Sequence, residues 1–171
     1  MAVIEKSNMN MKIIMECIRE ALSSIKHPRF YDTERGFQVA LLAEINQKLP
    51  ELELEGAIIE EEYQKRIRDH GFTIRPDLII HVPFDYSNLE SRKHGNFVVI
   101  ELKRQATVDE ALDDYRKLTN MCKSLDYPLG IFINISSDTS HLSEYEENDD
   151  PRIHSFAVEL KNENVHIVED Q

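Results

Sequence analysis

The chain has 171 residues, 41% of them hydrophobic, enough for one domain with its own core and short for two. Its formal net charge of −12 argues against a protein that coats nucleic acid by bulk charge. No run of about 18 apolar residues is present and the N-terminal segment lacks the form of a secretory signal, so the expectation is a cytoplasmic protein with no membrane partner.

Ile14, Ile18, Leu22 and Ile25 recur at helical spacing and predict a first helix over about Asn8 to Ile25, stopped by Pro28. Asp32 or Thr33 can cap a second helix, "ERGFQVALLAEINQKL", which ends before Pro50. The pattern then changes. "AIIEEEYQKRI", "TIRPDLIIHV" and "NFVVIEL" read as three strands, the last two joined as a long hairpin through Pro83 and Gly95. A third helix is predicted over Thr107 to Leu125, with Val108, Leu112, Tyr115, Leu118, Cys122 and Leu125 on one face and Asp109 and Glu110 in the first turn. "PLGIFINIS" reads as a buried mid-sheet strand, and "RIHSFAVEL" with "VHIVE" as a closing hairpin around "KNEN". A helix between "VVIEL" and "GIFINIS" permits a parallel crossover, so the expected fold is α/β, a mixed sheet with helices on both sides. Cys17 and Cys122 fall in different helices and are read as buried thiols, and the seven histidines show no metal-ligand spacing.

Charge concentrates where two strands end. Residues 65–104 hold eight basic and five acidic residues, a local +3 that leaves −15 on the remainder. Within this window Asp77 precedes "LII", and Glu101 and Lys103 end "FVVIELK". Two residues apart on a strand, Glu101 and Lys103 share a face, and pairing of the two strands lets Asp77 approach Glu101. Close carboxylates repel unless a cation lies between them. Oxygen donors suit Mg²⁺ or Mn²⁺ rather than zinc, and Lys103 can balance the charge or orient a water. Projecting the second helix at about 100° per residue from Glu34 places Gln38 at about 40°, Ile45 at about 20° and Leu41 at about 340°. Glu34 therefore lies on the apolar stripe, whereas Glu44, at about 280°, lies off it.

The order Glu34, Pro76-Asp77, Glu101-Leu102-Lys103 resembles the PD-(D/E)XK nuclease superfamily, the restriction-endonuclease-like fold, over about Thr33 to Ser136. The resemblance implies a division into a helical extension (1–30), a nuclease-like core (31–137) and an acidic loop with a closing hairpin (138–171). It implies a divalent metal, Mg²⁺ or Mn²⁺, held by Asp77, Glu101, the backbone carbonyl of Leu102 and Glu34, with Lys103 acting on the attacking water and Gln105 lining the site. The implied activity is phosphodiester hydrolysis of nucleic acid, with DNA favoured over RNA. Lys65, Arg66, Arg68, Arg92 and Lys93 are the candidate phosphate contacts. The overall acidity implies weak intrinsic affinity for nucleic acid, and a protein partner or a homodimer as the means of delivery. The RecB-like branch carries a Gln four residues before a Tyr on the following helix; here Ala111 precedes Tyr115, and that branch is not assigned.

The same residues also have plain structural uses. Glu101 and Lys103 can form an exposed strand-end ion pair. Asp77 can accept backbone hydrogen bonds in a turn after Pro76. Glu34 can be a helix N-terminal acid, and Arg92, Lys93 and His94 a solvated loop. The alternative function is a nuclease-like domain without activity that binds a protein partner through its acidic segments.

Overall fold

The computed structural model describes residues 10–61, 75–84, 91–146 and 150–171. Lys65, Arg66 and Arg68 lie outside these segments.

Helix α1 spans Met11–Ser24. Asn10 caps it, its side chain accepting a hydrogen bond from the Ile13 amide at 3.3 Å. Ile14, Met15, Cys17, Ile18, Ala21 and Leu22 are buried along one face. A 3-10 turn, Pro28–Tyr31, follows, and the Tyr31 hydroxyl donates back to the Ile25 carbonyl at 2.9 Å. Of the two proposed caps for the second helix, Thr33 is the one used: its Oγ1 accepts from the Gly36 amide at 3.0 Å. A Cβ on residue 36 would stand 2.9 Å from that oxygen, so glycine suits the capped turn. Helix α2, Glu34–Lys48, buries Gln38, Leu41 and Ile45 of the projected stripe, and Phe37 beside it.

Six strands form one mixed sheet in the order β1-β2-β3-β4-β5-β6: Ile58–Glu61, Leu78–His81, Asn96–Arg104, Leu129–Ile135, Ile153–Lys161 and Asn164–Asp170. The pairs β1–β2, β2–β3 and β5–β6 are antiparallel, while β3–β4 and β4–β5 are parallel. Helix α3, Val108–Leu125, makes the crossover from β3 to β4. α1 and α2 cover one face, where Leu78, Ile80, Val98, Ile100, Leu102, Ile131, Ile133 and Ile135 join their core. α3 covers the other face, over Ile79, Val99 and Phe132. Every residue of β4 is buried, as a central strand requires. Gly130 lies under α3; a Cβ there would stand 3.1 Å from Cys122 Sγ and 3.0 Å from Ile153 Cδ1.

Several boundaries differ from the sequence expectation. β2 begins at Leu78 rather than Thr73, with Pro76 and Asp77 ahead of it, since proline has no amide for a ladder. β1 is described only to Glu61. On α3, Val108 is 38% exposed, and Ala111, Thr119 and Met121 are buried instead. Thr107 is the N-cap here, forming a reciprocal capping box with Glu110 that turns Val108 outward. The closing turn is tighter than "KNEN": Lys161 pairs with Asn164, and Asn162 and Glu163 both take positive φ (50° and 65°), as a two-residue type I′ turn demands. α1, expected as part of an extension, belongs to the main core, its apolar stripe buried with α2 and the sheet.

Candidate functional site

The strand that separates the two layers also builds the site. Leu78 pairs with Ile100 and Ile79 with Val99, so continuing this register places Asp77 opposite Glu101. Asp77 is fixed twice. Its Oδ2 accepts from the Leu102 amide at 2.7 Å, and its carbonyl accepts from Gln38 Nε2 at 2.9 Å. Gln38, buried on the α2 stripe, thus holds the approach to β2 in place from the far face of the sheet.

Glu101 is 2% exposed. Its Oε2 lies 2.6 Å from Lys117 Nζ on α3, and its Oε1 is buried with no hydrogen-bond partner among the described residues. Burial, and then repulsion from Asp77, push its carboxyl well above the usual carboxylate range despite the opposing charge of Lys117. The strand-end pairing considered from sequence is therefore not an exposed Glu101–Lys103 pair. Two side chains leaving one strand face run side by side, whereas Lys117 points down from the helix onto the sheet.

Lys103 is half-buried on the same face as Glu101, and among the described residues no carboxylate lies within 4 Å of its ammonium. Burial lowers its pKa, but the charges of Asp114, Glu34, Asp77 and Glu110 outweigh that and hold it above its usual value. Asp114, one turn before Lys117, has a buried Oδ2 without a partner among the described residues, and burial pushes its carboxyl up to about 6. Glu34 comes from the opposite layer and reaches round the end of β3, where its Oε2 accepts from the Arg104 amide at 3.2 Å. Arg104 turns away, donating to the Tyr31 carbonyl at 2.8 Å and to Gln105 Oε1 at 3.0 Å. Gln105 takes φ of 51° and hydrogen-bonds through its amide to the Ile135 carbonyl, which turns the chain from β3 toward α3. Asn134, fully buried, accepts from the Ala106 amide and donates to the Thr139 carbonyl, pinning that turn to β4.

The fold thus gathers Asp77, Glu101, Lys103 and Glu34 at the ends of β2 and β3. It adds Asp114 and Lys117, which the sequence reading passed over. A signal for Asp114 existed: it stands on the helical line of Leu118, Met121 and Leu125, a carboxylate continuing a buried stripe. Lys93 is exposed in the 3-10 turn Arg92–Gly95 before β3.

The donor set is all oxygen, and two of its buried carboxylate oxygens lack partners among the described residues, which fits a hard divalent cation. Among the described residues no three His, Cys, Asp or Glu side chains are already drawn into one metal-holding group. Mg²⁺ asks for less: it keeps several waters and commonly takes one or two carboxylates, with substrate phosphate completing the shell. In comparisons with known proteins, no family model matches the sequence, and no curated protein is significantly similar to it.

Proposed function

We propose that this protein is a Mg²⁺- or Mn²⁺-dependent phosphodiesterase acting on nucleic acid, with DNA favoured over RNA, through a site of the PD-(D/E)XK type. The observation that carries the reading is Glu101: a carboxylate buried within β3, opposite Asp77 just ahead of β2, with Oε1 unpartnered among the described residues. Leaving such an oxygen dry and unbonded is costly unless a ligand uses it. The helix, antiparallel three-strand meander, crossover helix and parallel strand of residues 34–135 support a restriction-endonuclease-like reading of the fold.

Asp77 and Glu101 would hold the cation, with Glu34 and the Leu102 carbonyl as further oxygen donors. A bound ion supplies positive charge at the phosphate and lowers the pKa of a coordinated water. Lys103 presents a charged donor beside these acids and orients the water or a phosphate oxygen. With −12 on the whole chain, affinity for nucleic acid is weak, and a partner protein or second copy brings the substrate.

A cleavage panel tests this: single- and double-stranded DNA and RNA, incubated with Mg²⁺ or Mn²⁺ and wild-type or Asp77→Asn protein. The expected result is cleavage of at least one DNA substrate by wild type, abolished by Asp77→Asn. No cleavage of any substrate with either metal opposes the reading and favours an inactive, partner-binding domain.

A further inference from the structure

Two lysines serve this site in different ways. Lys117 leaves α3 and lies against the strand ends, its side chain 33% exposed while that of Glu101 is 3% exposed. Its ammonium donates to Glu101 Oε2 at 2.6 Å and reaches the carbonyl of Arg75 at 3.4 Å. Arg75 stands just before Pro76-Asp77. One cation from the crossover helix therefore ties the end of β3 to the lead-in of β2, the two segments that carry the paired acids. Lys103 has no such contact with a described carboxylate.

A carboxylate offers two oxygens, and here they are treated unequally. Lys117 engages Oε2, and Oε1 has no partner among the described residues. A lysine merely standing in for a metal would compete for the oxygen the metal needs. A lysine holding the other oxygen instead fixes the orientation of the side chain. Metal-ligating carboxylates are held in this way by neighbours behind them.

We infer that Lys117 is the positioning residue of this site, holding Glu101 by Oε2 so that Oε1 is the free donor for a divalent cation, while Lys103 remains available to water or phosphate. This rests on the metal-dependent reading above. It assigns to α3 a role in the site besides packing. It also explains why a cation sits so near the paired acids without closing the site.

The test is isothermal titration of Mn²⁺ into the full chain: wild type, Lys117→Met, Lys117→Arg and Lys103→Met, each checked for folding by thermal melt. Lys117→Met should bind Mn²⁺ about 10- to 100-fold more weakly, the loss typical of removing a group that orients a ligand. Lys117→Arg keeps the charge and donor and should recover most of that loss. Lys103→Met should bind as tightly as wild type or more tightly. If Lys117→Met does not fold, Lys117→Gln replaces it and is read the same way. A folded Lys117→Met or Lys117→Gln protein that binds Mn²⁺ as well as wild type, or better, overturns the inference, since Lys117 would then be a bystander or a competitor. Wild type that binds no Mn²⁺ removes the metal site itself and this inference with it, a result distinct from an unchanged variant.

Discussion

The two faces of the sheet are built differently from the same strands. Toward α1 and α2, β3 presents Val98, Ile100 and Leu102, and β4 presents Ile131, Ile133 and Ile135, all joined in one apolar core. Toward α3, the same strand presents Val99 and then Glu101 and Lys103, met by Asp114 and Lys117 from the helix. A fold that closes one face almost wholly with hydrocarbon does not need buried acids to close the other. Buried charge is a poor source of stability, because desolvation takes back most of what pairing provides. Such departures from a consistent core are expected where a site is kept.

Substitutions on the two faces should act differently. The largest effect should come from Lys103→Met, which keeps the hydrocarbon stem and removes the ammonium. Cleavage should fall by about 10²–10⁴-fold, while the thermal melt and Mn²⁺ affinity hold. Wild-type rates from that variant would place the chemistry elsewhere. On the opposite face, Ile133→Ala should cost about 2–5 kcal/mol in denaturant unfolding, since Ile133 is wholly buried, and leave Mn²⁺ affinity unchanged in the folded fraction. A change in Mn²⁺ affinity there would show that the two faces are not independent.

Smaller effects are expected away from both faces. Arg152 donates to Asp150 twice, at 2.7 and 2.8 Å, and to the Cys122 carbonyl at 2.9 Å, so it fastens the last turn of α3 to the start of β5. Arg152 also holds the Asp150 carboxyl below its usual range. Asp150→Ala should cost about 1–2 kcal/mol in the same unfolding assay, less than a dry ion pair because Arg152 is partly exposed. The smallest is a pH effect. Burial lowers the pKa of His154, against the opposing charge of Glu169, which is itself paired with Arg19. Its folded pKa lies below the unfolded value near 6.5, so the native state binds fewer protons. Stability is then fully present above that value and declines as pH falls below it. His154→Gln should flatten this part of the stability profile; an unchanged slope would assign it to other groups.

Much of this was legible from residue order. Thr33 before "ERGF", the change of pattern at "AIIE" and the unbroken "IFINI" each act locally, and each produced its element. Val108 was misplaced because a helix begins where its cap sets it, and the Thr107–Glu110 box rotated the first turn. Asp77, Glu101 and Lys103 stood out because charge beside a buried strand is conspicuous in sequence. Lys117 did not, because its partner lies 16 residues back across a crossover, and only the packing angle of α3 brings them together. Asp114 was legible in principle, on the line of Leu118 and Met121, though masked by the charged run "DEALDDYRK" around it.

Mn²⁺ titration of wild type against Asp77→Ala decides whether the paired acids Asp77 and Glu101 form a divalent-cation site. Asp77 faces Glu101 across the β2–β3 pair, and removing its carboxylate takes away one of the two acids proposed to hold the cation. Saturable Mn²⁺ binding by wild type, lost in a folded Asp77→Ala protein, is the predicted result. Wild type that binds no Mn²⁺ at millimolar concentrations, or Asp77→Ala that binds it equally well, would contradict the account.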